Sequence, residues 1–212
     1  MSRTIRKIPG ANRLLFLVVA VLLPLTALTA LAESPNAAIE EAAMLLDQAM
    51  EGRRDELRED KAALYTLIDD ILLPRFDRRY AAQVVLARHW RTASEEQREG
   101  FINAFYNEMM RIYAEAVLEF NLDRLEVLPF RGDETKKRVT VKTTMQLDDG
   151  TIVPVNYGMV SRESGWKMFD VTIEGISYIR NFKVELNSEI QVEGLDDVIA
   201  RLEANNTTGA TE

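Results

Sequence analysis

Three observations along the chain predict an α+β fold. Apolar residues recur at helical spacing as far as Phe120, alternate in and out from Leu125 through the Trp166 stretch, and return to helical spacing after Gly175. The expected plan is a set of N-terminal helices, a four-stranded antiparallel twisted sheet and closing C-terminal helices, with the helices on one face of the sheet. No internal repeat interrupts it, and no linker is long enough to separate independent domains.

Ser34-Pro35 starts the first helix, with serine as N-cap and proline at the first helical position. Ile39, Ala42, Ala43, Leu46, Ala49 and Met50 give its apolar stripe, and Gly52-Arg53-Arg54 loosens it. A second helix carries Leu64, Leu67, Ile68, Ile71 and Leu72 on one side and stops at Pro74. Asp77 caps a third, with Tyr80, Ala81, Val84, Val85 and Ala87. Ser94 and Gln97 form a capping box, with Glu95 and Glu96 suited to the positive helix start. The helix that follows has Phe101, Phe105, Met109, Ile112, Tyr113, Ala116, Val117 and Phe120 along one stripe, and is the longest amphipathic element.

The strands come next. Leu125, Val127 and Pro129 open a short one, turned by Arg131-Gly132-Asp133. Val139, Val141, Thr143 and Met145 share one face of the second, and Asp148-Asp149-Gly150 is a hairpin signal. Val153, Val155, Tyr157 and Met159 alternate in the third, where Pro154 implies an edge or a bulge. After the turn Glu163-Ser164-Gly165, the stretch Trp166 to Phe182 reads as a last strand feeding a helix through Gly175.

Residues 1–32 read as a signal peptide. Arg3, Arg6, Lys7 and Arg13 precede the apolar run Leu14 to Leu31, and Ala30-Leu31-Ala32 supplies small residues for cleavage near Ala32. The alternative is a retained anchor. One domain is expected over residues 33–203, and residues 204–212 read as a disordered tail. Losing four positive side chains takes the chain from −8 to −12, which argues against a nucleic-acid partner and against adhesion to anionic headgroups. With no cysteine, disulfide and thiol chemistry are unavailable.

Catalytic signals are sparse. The single histidine, His89, reads as an ordinary helix-end residue, favourable to the dipole when protonated. No cluster of His, Cys or acidic residues has metal-ligand spacing, and there is no nucleophile elbow or glycine-rich phosphate loop. Asp69-Asp70 and Asp148-Asp149 read as solvated surface. Asp170 lies in an otherwise apolar strand, as a structural carboxylate bonded to backbone N–H groups or as a general base. Phe101, Phe105, Met109, Tyr113, Tyr157, Met159, Met168, Phe169, Tyr178 and Phe182 make an aromatic and methionine surface. It suits either a plain core or the wall of a pocket for a long apolar ligand.

Trp166-Lys167-Met168-Phe169-Asp170-Val171, Glu174-Gly175-Ile176-Ser177 and Asn181-Phe182 resemble the signature of the MlaC family, the toluene-tolerance auxiliary proteins. Leu73-Pro74-Arg75-Phe76-Asp77, His89-Trp90-Arg91, Gln97-Arg98-Glu99-Gly100-Phe101, Phe105-Tyr106, Ile112-Tyr113-Ala114 and Gly194-Leu195-Asp196 agree in order. Ala87, where the family often has glycine, and Phe182, where tyrosine is common, depart from it. The resemblance implies a periplasmic phospholipid carrier that performs no reaction and needs no cofactor, its bound phospholipid being cargo. It would work as a monomer between an outer-membrane lipoprotein–porin complex and the MCE-domain subunit of an inner-membrane ABC transporter, maintaining outer-membrane lipid asymmetry.

On that resemblance the acyl chains lie in an apolar pocket between sheet and helices. Its expected wall is the aromatic and methionine set above together with Val141, Val155, Ile173 and Ile176, and Gly175 is a candidate hinge. Exposing two chains of ~15 methylenes each would cost on the order of 20 kcal/mol at ~0.8 kcal/mol per group, so a carrier in water must hide both. Two other readings compete: a small isomerase-like enzyme using Asp170 as base beside Tyr157 or Tyr178, and an exported chaperone of apolar protein segments.

Overall fold

The first helix begins where the capping chemistry places it. In the computed structural model, Ser34 Oγ accepts from the Ala37 N–H at 3.1 Å and α1 runs Pro35–Met50. The structure describes residues 34–119, 122–147 and 149–208, all within one compact unit. The leader and its cleavage point, Phe120 of the long stripe, Asp148 of the hairpin signal and the last four residues lie outside the described residues.

A short α2, Arg54–Glu59, precedes α3, Lys61–Leu72, where the sequence reading has one helix; Asp60 separates them, accepting from the Ala63 N–H to cap α3. Pro74 then forces a single 3-10 turn, Leu73–Arg75. Asp77 accepts from the Tyr80 N–H at 2.8 Å and opens α4, Arg78–Leu86. The short α5 is His89–Thr92. Ser94 and Gln97 close the reciprocal capping box at 3.1 and 3.0 Å, and α6 runs 25 residues, Glu95–Glu119. The chain ends in α7, Tyr178–Glu193, and α8, Leu195–Thr208, so residues 204–208 are helical where their composition suggests a disordered tail. Asn206 explains part of this: its Nδ2 donates to the Ala104 carbonyl of α6 at 3.1 Å.

The sheet has five antiparallel strands in the order β1-β2-β3-β4-β5, one more than the sequence suggests. They are β1 Leu125–Val127, β2 Arg138–Gln146, β3 Ile152–Arg162, β4 Gly165–Ile173 and β5 Ile176–Ser177. The added strand pairs Ile176 with Ile173 across Glu174 and Gly175, both at positive φ (51° and 84°), the signature of a tight two-residue hairpin. Gly175 therefore lies in a hairpin turn, and the helix begins only at Tyr178.

Pro154 sits in the central strand β3, not on an edge. Its carbonyl accepts from Glu174, on the side where β4 has already turned away after pairing Ile173 with Val155, so its missing N–H leaves no ladder gap. A bulge lies further along, between Gly158 and Met159. Alternation in β2 buries Val141, Thr143 and Met145 and exposes Thr140 and Lys142.

The buried apolar residues form three clusters. One joins α4, the first half of α6, α7 and α8 around Phe101, Phe105, Phe182 and Leu186. A second joins the end of α1, α2, α3 and the second half of α6 around Met50, Leu57, Leu64 and Leu118. The third sets the start of α1 on the sheet, with Ile39 against Val141, Met159, Trp166 and Met168. α6 spans the first two, and between all three clusters the interior stays open.

Candidate functional site

The open interior is an apolar cavity of about 300 Å³. α1 contributes Ile39, Ala42, Ala43 and Leu46; α3 contributes Ile68 and Leu72; α6 contributes Tyr106, Met109, Met110, Tyr113, Ala114 and Val117. The sheet supplies Leu125, Met145, Val155, Tyr157 and the run Met168 to Ile173 apart from Thr172, and the start of α7 supplies Tyr178 and Ile179. The exposed Ala116 marks one point of the rim.

The hollow has a local cause in α6. In its first half, Phe101 and Phe105 stack at 5.5 Å and Phe182 meets Phe105 edge-on at 5.1 Å, filling the space between helices. In its second half the helix lines the cavity with Met109, Met110, Tyr113, Ala114 and Val117, and Ala42 and Ala43 of α1 line the same space. The small side chains of Ala42, Ala43 and Ala114 fill little of this space, and the sheet closes it without filling it.

Of the residues expected on the wall, Met109, Tyr113, Val155, Tyr157, Met168, Phe169, Ile173 and Tyr178 line the cavity. Phe101, Phe105 and Phe182 do not; they are the packed core of the α4–α6–α7–α8 cluster. Val141 and Met159 are also solid core, wedged between the sheet and α1. Ile176, on the two-residue β5, is 56% exposed. The walls from α1 and α3, with Tyr106 and Met110 of α6, were not assigned to the pocket from sequence. A stripe that faces a cavity looks the same in sequence as one that faces a neighbour. The available signal was the presence of alanines within the apolar stripes of α1 and α6.

The polar groups on the wall are few. Tyr106 donates to Asp69 Oδ1 at 2.5 Å beneath the Arg78 guanidinium, 5.1 Å from its ring; burial, and then Asp69, push its hydroxyl well above the usual phenol range. Asp170 accepts from Ser177 Oγ at 2.6 Å and from the Ile179 N–H at 3.2 Å, so its two oxygens fasten the start of α7 to β4. Of the alternatives open for Asp170, the geometry is that of the structural carboxylate. Burial pushes the Tyr157 hydroxyl up to about 12, and raises that of Tyr113. Tyr113 packs on Tyr178 at 4.6 Å and edge-on to Phe182 at 6.2 Å.

His89 opens the single-turn α5 and does not close a helix, and its Nε2 accepts from Arg88 Nε at 3.2 Å. Burial, and then neighbouring Arg88, lower its pKa from 6.5. Among the described residues no group of three or more His, Cys, Asp or Glu is placed to hold a metal, and no helix is long and apolar enough to cross a membrane.

The family model for the MlaC protein matches residues 40–204, nearly all of the described chain. The chain belongs to the MlaC family. Toluene tolerance protein ttg2D of Pseudomonas putida is 25% identical over 170 residues, 80% of this chain and 79% of that protein. The intermembrane phospholipid transport system binding protein MlaC of Haemophilus influenzae is 22% identical over 180 residues, 82% and 84% of the two chains. The phospholipid-binding protein from Ralstonia solanacearum, solved in complex with a phospholipid, superposes with a TM-score of 0.74 at 23% identity. It covers 84% of this chain and 99% of its own, which shows a shared fold. These matches extend over most of the helical and sheet framework that surrounds the cavity.

Proposed function

We propose that this MlaC-family protein is a periplasmic phospholipid carrier that holds its cargo by the acyl chains. The observation that carries the reading is the cavity: a space walled almost wholly by aliphatic, aromatic and methionine side chains, in a fold shared with a protein solved holding a phospholipid. An aqueous carrier must shield acyl chains from water, and long flexible chains suit a lining in which methionine and aromatic residues adapt around alanine gaps. The carrier works without a cofactor, as a monomer released from its signal peptide. It passes lipid between an outer-membrane lipoprotein–porin complex and the MCE-domain subunit of an inner-membrane ABC transporter, maintaining outer-membrane asymmetry. The geometry favours no reaction on the lipid, because the carboxylate on the wall, Asp170, is engaged in holding α7.

The test is lipid extraction from mature protein purified from a Gram-negative host, followed by mass spectrometry. Co-purified phospholipid, and reloading from vesicles after delipidation, are expected. A preparation that holds none and takes none up overturns the reading. An exported chaperone of apolar segments would instead have its lipid displaced by unfolded protein.

A further inference from the structure

The central strand sets a buried hydroxyl on the apolar cavity wall and leaves it unsatisfied. Tyr157 lies on the central strand β3, with Val141 and Val171 opposite it in the two neighbouring strands. Its side chain lines the cavity, and among the described residues its hydroxyl makes no hydrogen bond, yet it is not sealed in protein. The free side of the phenol therefore opens on the cavity. Tyr106 and Asp170 are already engaged, the first by Asp69 and the second by Ser177 and Ile179, while Tyr113 and Tyr178 pack ring on ring at 4.6 Å. A phenol taken out of water without a partner is destabilising, and acyl methylenes cannot supply one.

We propose that Tyr157 is a specificity-determining residue: its hydroxyl donates a hydrogen bond to an acyl ester carbonyl of the cargo, so the cavity takes ester-linked lipids in preference to ether-linked ones. The inference rests on the carrier reading and deepens it. An ester carbonyl is a neutral acceptor at the head of each acyl chain, where the apolar part of the lipid begins. An ether oxygen is a poorer acceptor in the same place, and a phosphate would carry its charge into an apolar wall. The hydroxyl, pushed up to about 12 by burial, remains a donor throughout the physiological range. Its depth in the sheet then sets how far the cargo enters.

The experiment offers delipidated protein an equimolar mixture of dioleoyl (ester) and dioleyl (ether) phosphatidylethanolamine in vesicles and reads both by mass spectrometry. The wild type is expected to retain the ester form in about three- to tenfold excess, the range one hydrogen bond supplies. Tyr157→Phe, which keeps the ring and removes only the hydroxyl, is expected to take both equally, its uptake of the ester form falling to that of the ether form. Equal uptake by the wild type, or an undiminished preference in Tyr157→Phe, overturns the assignment of the hydroxyl and leaves the carrier standing. Uptake of neither lipid by the wild type overturns both.

Discussion

Asp170 is a carboxylate on the wall of an apolar cavity, and it is tolerated there because Ser177 Oγ and the Ile179 N–H both donate to it. Asp170→Ala is expected to cost ~1–2 kcal/mol in denaturant unfolding by freeing the start of α7, with bound lipid retained. Loss of all lipid without loss of stability would give the carboxylate a direct role in holding cargo. Ala87 is strained differently: it ends α4 at φ 50°, a region that favours glycine. Ala87→Gly should relieve that strain and raise stability by ~0.5–1 kcal/mol, net of the extra freedom glycine brings to the unfolded chain. His89 gives a pH signature. Its folded pKa lies below the unfolded value, so the unfolded chain binds more protons as pH falls below 6.5, and stability declines with it. The fall in melting temperature between pH 8 and pH 5.5 should therefore shrink in His89→Gln.

At the scale of elements, α6 is two helices in one: an aromatic first half that fills the core and a second half that borders a void. The two halves predict opposite mutant behaviour. Phe105→Ala, in the packed half, should destabilise by ~3–5 kcal/mol. Ala43→Phe, on the α1 wall of the cavity, should leave the melting temperature within a few degrees and reduce lipid occupancy several-fold, because the new ring occupies cargo space. If Ala43→Phe loads lipid as well as the wild type, the chains run elsewhere. Met159, expected on the wall but buried in core against α1, should fail by unfolding when replaced by a charged residue, whereas a charge at Tyr157 acts on occupancy. The caps of α1, α4 and α6 and the β2–β3 hairpin were legible because each is set by a few adjacent residues. The small β5 escaped notice because Ile176-Ser177 is too short for a period, and it forms only because β4 is there to pair with.

For the molecule as a whole, three apolar clusters meeting around a cavity leave the empty protein with apolar surface that cargo would cover. A ligand that binds only the folded state stabilises it by mass action, by ~2.7 kcal/mol at a hundred times its dissociation constant. Stripping the lipid should therefore lower the melting temperature by roughly 5–10 °C for a domain of this size, and reloading should restore it. An unchanged melting temperature would mean that the cavity collapses when emptied. The net charge of −8, −12 without the four cations of the leader, belongs to the same scale, since it disfavours adhesion to anionic bilayers.

The sequence by itself determined the order of helices and strands, the helix caps, the α+β class and the family, because each depends on residues close together in the chain or on motifs kept in order. Which apolar residues face each other is decided by tertiary packing. The same aromatic and methionine pattern is solid core at Phe101, Phe105, Phe182, Val141 and Met159 and cavity wall at Met109, Tyr113, Val155 and Tyr157. The difference comes from what stands opposite: bulky side chains that interdigitate in the first case, and open cavity in the second.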